Sequence, residues 1–430
     1  MKKQIVSLKS LVMTLGLLFA GLYAFAQQPG LQYFRYNDKR GVNVFETSKE
    51  DSVKFDGIKV RVGGDFAIQF QGLTQENDAS SFKELEKNFN LPAANLNLDV
   101  QLAEGVRLHM RTYLSSRHHN EGWVKGGYLQ VDNLDFINEG FLGGLMDIAT
   151  IRFGYNDINY GDMHFRRSDN ATVIYNPFVG NYIMDAFTTE PFGELTIQKN
   201  GILGVVGITN GRLNQTTVKP VNAQGASIAG DGGAALYLKL GYDKQFNEDL
   251  RFRLTGSYYK TGDKGTREYL YSGDRAGARY YEVYNTLTGS ASNNDFRPRF
   301  NPGWPYLSAF QINPFLKFQG LEFFGAYEIA SGGKDTDGSF TQTAAELLYR
   351  FGPNEKIYVG GRYNGVNGSV NDGGDDQKIS RTNLVGGWFM TDNIVMKVEY
   401  VTEKLTGAGW TGEFVGAKFN GVMVEAAISF

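Results

Sequence analysis

The sequence predicts an all-β chain, a transmembrane antiparallel β-barrel of about sixteen strands with one long loop folded inward and short periplasmic turns. Three observations carry that expectation. Polar and apolar residues alternate with a period of two along most of the chain. The alternating segments run to about ten residues, the length of a tilted strand crossing a bilayer, where globular strands average about five or six. Tight connections alternate with long ones.

Composition removes competing classes. The 430 residues include no Cys, which excludes disulfide scaffolds, thiolate metal sites and thiol catalysis. A mean hydropathy of -0.32 is too low for a bundle of membrane helices, each needing about 20 continuous apolar residues. Gly is abundant at 54 residues, but without a G-X-Y period, and 14% aromatic content argues against disorder.

The first residues read as an export signal. Lys2, Lys3 and Lys9 precede an apolar run from Leu11 to Tyr23, and Ala24-Phe25-Ala26 offers small residues for cleavage before Gln27. An uncleaved anchor helix is the alternative, for which the run is short. The division is then 1–26 signal peptide, 27–57 N-terminal periplasmic segment and 58–430 outer-membrane barrel. Losing the three lysines takes the formal charge from -3 to -6, which does not suit a nucleic-acid binder.

The barrel strands follow in order. In Ile58 to Gln71, Lys59, Arg61, Asp65, Gln69 and Gln71 share one face, and Val60, Val62, Phe66, Ile68 and Phe70 the other. The same parity recurs over 95–102, 106–117, 123–133, 149–157, 191–199, 201–209, 233–246, 250–260, 308–319, 321–331, 341–351, 356–366, 378–390, 394–404 and 419–430. A soluble sandwich shares this period, but charged residues at successive inward positions suit water and no dry core. Short connections such as Asn200-Gly201 and Thr391-Asp392-Asn393 carry hairpin residues. Residues 134–148 fall on the short-turn side yet are long, with a helical turn expected over 140–148. The last strand alternates through Val422, Val424, Ala426 and Ile428 and ends at Phe430, an aromatic terminus resembling the signal read by the barrel-insertion machinery.

Parity assigns Lys59, Arg61, Arg107, Arg111, Arg152, Lys239, Arg251, Arg253, Lys317, Arg350, Arg362 and Lys397 to the lumen. Asp65, Asp99, Asp243, Glu322, Glu328, Glu346, Glu399, Glu403 and Glu425 join them. The early strands are basic-heavy and the late ones acid-heavy, so closure is expected to oppose a basic wall to an acidic wall. Loop 158–190 is the candidate constriction: it follows Arg152, holds Arg166 and Arg167 beside Asp169, and carries Phe165, Ile174, Tyr175 and Phe178 as apolar anchors. An exposed loop with solvated arginines is the alternative. Loop 261–307 is mildly basic through Arg267, Arg275, Arg279, Arg297 and Arg299, and rich in Tyr.

The stretches His164 to Asn170, Asn176 to Asn181 and Phe419 to Phe430 resemble porins related to the phosphate-selective O/P family. That resemblance implies sixteen strands, an inward loop, basic residues along the pore and a homotrimer. This chain departs from an uninterrupted basic ladder, because its lumen is mixed.

The expected function is passive diffusion of small hydrophilic solutes, with a leaning to anions such as phosphate, through a charged constriction in the outer membrane. The rival is a non-conducting barrel serving as surface adhesin or scaffold. An enzyme is not expected, since G-x-S-x-G, H-E-x-x-H and Walker signatures are missing. No cofactor or metal is expected. His118-His119 is a weak metal candidate, and the acidic tips at 335–337 and 372–376 do not match an EF-hand spacing. The partners expected are outer-membrane lipid, the permeating solutes, the insertion machinery and two further copies of the chain.

Overall fold

The computed structural model describes residues 28–115, 122–212, 234–261, 270–271, 279–287 and 299–430. The signal segment 1–26, His118, His119, Arg267, Arg275 and Arg297 lie outside the described residues.

Long alternating segments can satisfy their backbone groups in a membrane only by pairing on both edges. The described strands do so in one sheet. They are β1 (Lys59–Glu76), β2 (Asn88–Phe89), β3 (Ala93–Ala103), β4 (Val106–Ser115), β5 (Gly122–Val131), β6 (Ala149–Asp157), β7 (Thr189–Lys199), β8 (Ile202–Thr209) and β9 (Ala235–Gln245). The second half is β10 (Leu250–Thr261), β11 (Leu307–Phe318), β12 (Leu321–Gly332), β13 (Ser339–Phe351), β14 (Ile357–Gly368), β15 (Gln377–Thr391), β16 (Ile394–Thr406) and β17 (Lys418–Ser429). β17 pairs antiparallel with β1, from Asp65 opposite Ser429 to Glu76 opposite Lys418, and the sheet closes. Sixteen strands form the barrel. The two-residue β2 belongs to the β1–β3 connection and covers β1 at Phe70 and Gln71, above the stretch of β1 that β3 pairs.

The hydrophobic pattern is inverted relative to a soluble protein. Along β13, Leu347, Tyr349 and Phe351 are 46–54% exposed, while Glu346, Leu348 and Arg350 between them are buried. Such alternation is stable only if hydrocarbon covers the outside. Phe318, Phe351 and Trp388 are exposed beside the short turns, as an interfacial girdle requires. In the tight β7–β8 turn both Asn200 and Gly201 have positive φ, 53° and 87°, which a type I′ hairpin demands. The long turn at the same end holds a one-turn helix, Gly143–Met146, with Met146 packed against Val131 and Ala149.

The inside is not a uniformly wet lumen. The β6–β7 connection folds inward and is buried almost throughout, with a 3-10 turn at Met163–Arg166. Its Ile158, Tyr160, Met163, Tyr182, Ile183 and Met184 pack with inward Phe315, Phe324, Ala326, Phe340 and Ala344. Its Val173, Ile174 and Phe178 pack with Leu348, Tyr358, Val385, Phe389 and Val395. Gly161 lets the loop touch the wall: its φ is +66°, and a Cβ there would stand 1.9 Å from the Gln311 amide oxygen. Buried Leu270, Tyr271, Tyr280, Val283 and Tyr284 of the β10–β11 connection join the first cluster.

The N-terminal segment packs into the barrel. Residues 28–52 run inside the short-turn half of the barrel. Lys39 donates its amide to the Asp392 carbonyl at the β15–β16 turn, at 2.8 Å. Phe45 is buried against Phe165 and Phe315. Lys49 reaches Asp132 at 2.9 Å. The physical reason is that the lumen offers these aromatic and charged side chains partners that water would not.

Candidate functional site

A carboxylate removed from water must gain a cation or several donors, or it costs several kcal/mol (~3–5 when one partner of a buried pair is lost). The acid-rich strands meet this requirement by capturing the inward loop. Arg166 donates to Glu322 at 2.7 Å and to Glu346 at 2.9 Å. Arg350 and Arg362 reach the same two carboxylates from the wall, at 2.9 and 2.8 Å. Arg381 pairs with Glu403 at 2.6 Å and Lys397 with Glu425 at 2.7 Å. Glu328 accepts from Tyr160, Tyr271 and Gln342 at 3.1, 2.9 and 3.0 Å. Glu399 accepts from Tyr280 at 2.6 Å and from the Val179 amide at 2.8 Å. The acidic wall therefore faces protein. The expected opposition of two wetted walls is replaced by one filled side and one open side.

Strands β9 and β10 are also closed. Lys239 lies 2.9 Å from Asp162 and 3.2 Å from Glu46. Arg253 contacts Asp162 and Glu46, each at 2.8 Å. These pairs tie the loop, through Asp162, and the N-terminal segment, through Glu46, to one wall. Burial pushes the Glu46 carboxyl up, but Arg253 and Lys239 more than offset it and hold the group well below the usual carboxylate range.

The open side lies against β1 and β3 to β7. A cavity of about 170 Å³ remains there between wall, loop and N-terminal segment. Arg61, Arg107, Arg111 and Arg152 enter it from the wall, Arg35 from the N-terminal segment and Arg167 from the loop. Arg107 is held by Asp99 and Gln130, both at 2.9 Å. Arg111 donates to Asn97 at 2.9 Å and to Asp169 at 3.4 Å. Arg152 clasps Glu194 at 2.5 and 2.9 Å, and Arg167 clasps Asp185 at 2.6 and 2.8 Å. Arg35 donates to the carbonyls of Gly41 and Phe165, at 3.1 and 3.0 Å. Arg61 is 6% exposed, and its guanidinium makes no hydrogen bond or ion pair with a described residue. A wider recess of about 610 Å³ at the short-turn rim is also cationic, with Lys39, Arg40, Arg251, Lys317, Arg350 and Lys356 against Glu355 and Asp392.

Of the residues singled out as a constriction, Arg152, Arg167 and Asp169 meet in this cavity. Arg166 does not: it points the other way, into Glu322 and Glu346, and also contacts Asn43. Among the residues assigned to the pore, Arg61, Arg107 and Arg111 line the cavity, and Arg251 lines the rim recess. Lys239, Arg253, Glu322, Glu328 and Glu346 are buried beneath the loop. Lys59 sits at the start of β1, 2.7 Å from Asp56. Phe430 exchanges backbone hydrogen bonds with Gly64, at 3.0 and 3.1 Å, and its side chain is exposed. Strand parity did not reach Arg35, Asn43, Glu46, Asp162 or Asp185, because none lies on a strand. The one signal for the first of them is the alternation Phe34-Arg35-Tyr36, an aromatic frame around a cation.

Among solved structures the chain is similar to a loop-deletion form of OmpT, an outer membrane protein of Vibrio cholerae. The TM-score is 0.51 at 12% identity, over 87% of this chain and 100% of that one. The anion-selective porin from Comamonas acidovorans gives the same TM-score, 0.51, at 12% identity, over 87% of this chain and 100% of its own. The in-vitro folded OmpT gives 0.50 at 12% identity, over 88% and 99%. These likenesses show the fold, a closed antiparallel barrel of the outer-membrane type. No family model matches the chain, and no curated protein matches it.

Proposed function

We propose that the chain is a passive outer-membrane diffusion channel for small hydrophilic solutes, with a preference for anions. The observation that supports this most is the division of the lumen. The acid-rich side is neutralised by packed loops, while the space left open is lined by arginines on aromatic supports. A solute in that space meets fixed positive charge where water is scarce, so Coulomb terms gain weight. Arg152, Arg167 and Asp169 form the constriction, with Arg61, Arg107 and Arg111 along the wall, and the rim recess gathers anions at the periplasmic mouth. Export by the 1–26 signal, insertion aided by Phe430 and assembly as a homotrimer complete the proposal. Phosphate is one candidate solute through the resemblance noted above.

Reversal potentials in planar bilayers under a potassium chloride gradient test it. Small, steady currents with chloride favoured over potassium are expected. Arg111→Gln with Arg152→Gln should lower that preference. A current without ion preference would overturn the anion assignment. The rival, a non-conducting scaffold, gains support from the packed half of the lumen and predicts no current.

A further inference from the structure

The cavity on the open side is more specific than an anion path requires. Its carboxylates are already engaged: Asp99 by Arg107 and His109 at 2.9 Å each, Asp157 by His164 at 3.2 Å, and Asp169 by Arg111 and Tyr113. Among the described residues the Arg61 guanidinium has no such partner although the residue is nine-tenths buried, and the Arg107 Nε is buried without an acceptor. A guanidinium this enclosed gains from an acceptor, so the Arg61 position suits a ligand oxygen. Around them the surface is aromatic. The Arg61 guanidinium carbon lies 5.6 Å from the Phe34 ring and 5.4 Å from Tyr36. That of Arg107 lies 5.4 Å from Phe34 and 5.8 Å from Tyr128.

This mixture discriminates between anions. A phosphate dianion presents acceptors in every direction, and those facing the rings of Phe34 and Tyr128 would lose water without gaining donors there. A carboxylate presents two oxygens on one side, which match a guanidinium fork, and leaves the rest of its molecule free to be apolar. About 170 Å³ exceeds the ~150 Å³ of an engineered cavity known to hold benzene, so one six-membered ring fits.

We propose that this cavity is a binding site for a carboxylate carried on a six-membered ring. Arg61 clamps the carboxylate, and Phe34 and Tyr128 take the face of the ring. The inference rests on the anion-passing proposal above and gives it a substrate class. Aromatic acids and sugar acids share this chemistry.

Equilibrium binding to the full-length protein, folded in detergent, tests the site without any membrane current. The probes are benzoate, glucuronate, acetate and inorganic phosphate. At least one ring acid should bind about tenfold or more tighter than phosphate, and whichever of benzoate and glucuronate wins identifies the source. Arg61→Gln should weaken that ring acid by about tenfold or more, the scale of a lost charge-assisted pair. Phe34→Ala, in the N-terminal segment and outside the barrel wall, should weaken the ring acid while leaving acetate unchanged. Heat-modifiable gel mobility verifies that each variant is folded. Phosphate binding as tightly as both ring acids would overturn the site, as would an unchanged affinity in folded Arg61→Gln. Lost ring-acid binding with chloride preference intact sinks this site alone. Binding without current sinks the channel alone.

Discussion

The Arg166 guanidinium lies 2.7 Å from the Glu322 carboxylate across 156 residues of sequence, joining the inward loop to the start of β12. Its neighbour in sequence, Arg167, turns to Asp185 within the loop and borders the open cavity. Two adjacent arginines thus do different things: one fastens the loop, and one charges the space the loop leaves.

Arg166→Ala should therefore loosen the loop more than it changes ion preference. Glu322 and Glu346 keep Arg350 and Arg362, so the loss should fall at or below the low end of the ~3–5 kcal/mol seen when a buried pair is broken. The expected result is a higher and noisier single-channel current with chloride preference retained. Arg167→Ala should lower chloride preference instead. Equal effects on preference from the two variants would contradict this division.

How much of this was legible beforehand follows from the range of each interaction. Strand parity is local, and the burial of Ser339–Phe351 alternates residue by residue even where inward Leu348 is apolar, so the barrel and most of its inward charges could be read directly. The inward loop announced itself through apolar residues such as Ile174 and Phe178 inside a polar connection. What the lumen contains was not legible. Asn43 to Glu322 and Val179 to Glu399 span 279 and 220 residues, and no periodicity links them. The opposite directions of Arg166 and Arg167 come from the end of a 3-10 turn, where the backbone passes to an extended conformation at Arg167.

The outward face gives a prediction about lipid. Leu347 is 54% exposed on β13 between inward Glu346 and Leu348. Leu347→Arg should destabilise the barrel by ~2–4 kcal/mol if the residue sits at the bilayer midplane, and less toward an interface. Urea titration of the protein folded into vesicles measures it. A neutral result would mean that something other than hydrocarbon covers this face.

Docking of the N-terminal segment should depend on acid in one direction only. Glu46 ordinarily titrates near 4.5, and Arg253 and Lys239 hold it lower in the folded chain. A depressed carboxyl contributes stability that is fully present above its unfolded pKa and lost as pH falls toward the folded value. The hydrogen-exchange protection factors of residues 28–52, the intrinsic amide rate at each pH divided by the observed rate, should thus stay constant from pH 7 to 5 and fall below about 4. Glu46→Gln should exchange faster at neutral pH, with that acid dependence diminished. A fall in protection already between pH 7 and 5 would assign the anchoring to another group.

Removing residues 28–52 altogether should separate the two devices that fill the lumen. Phe34 and Arg35 border the cavity on the short-turn side, while the loop, through Arg166 and Tyr182, is fastened independently to Glu346 at 2.9 and 2.5 Å. Deletion leaves those loop contacts in place but frees Lys239 and Arg253 from Glu46, keeping Asp162 as their partner. The barrel should still assemble, because its sheet closes through β1 and β17, which begin after the deleted residues. Conductance should rise severalfold, and chloride preference should persist, since Arg61, Arg107, Arg111 and Arg152 all remain on the wall. If conductance were unchanged, the inward loop alone would set the resistance, and the segment would serve only to order the arginines it touches.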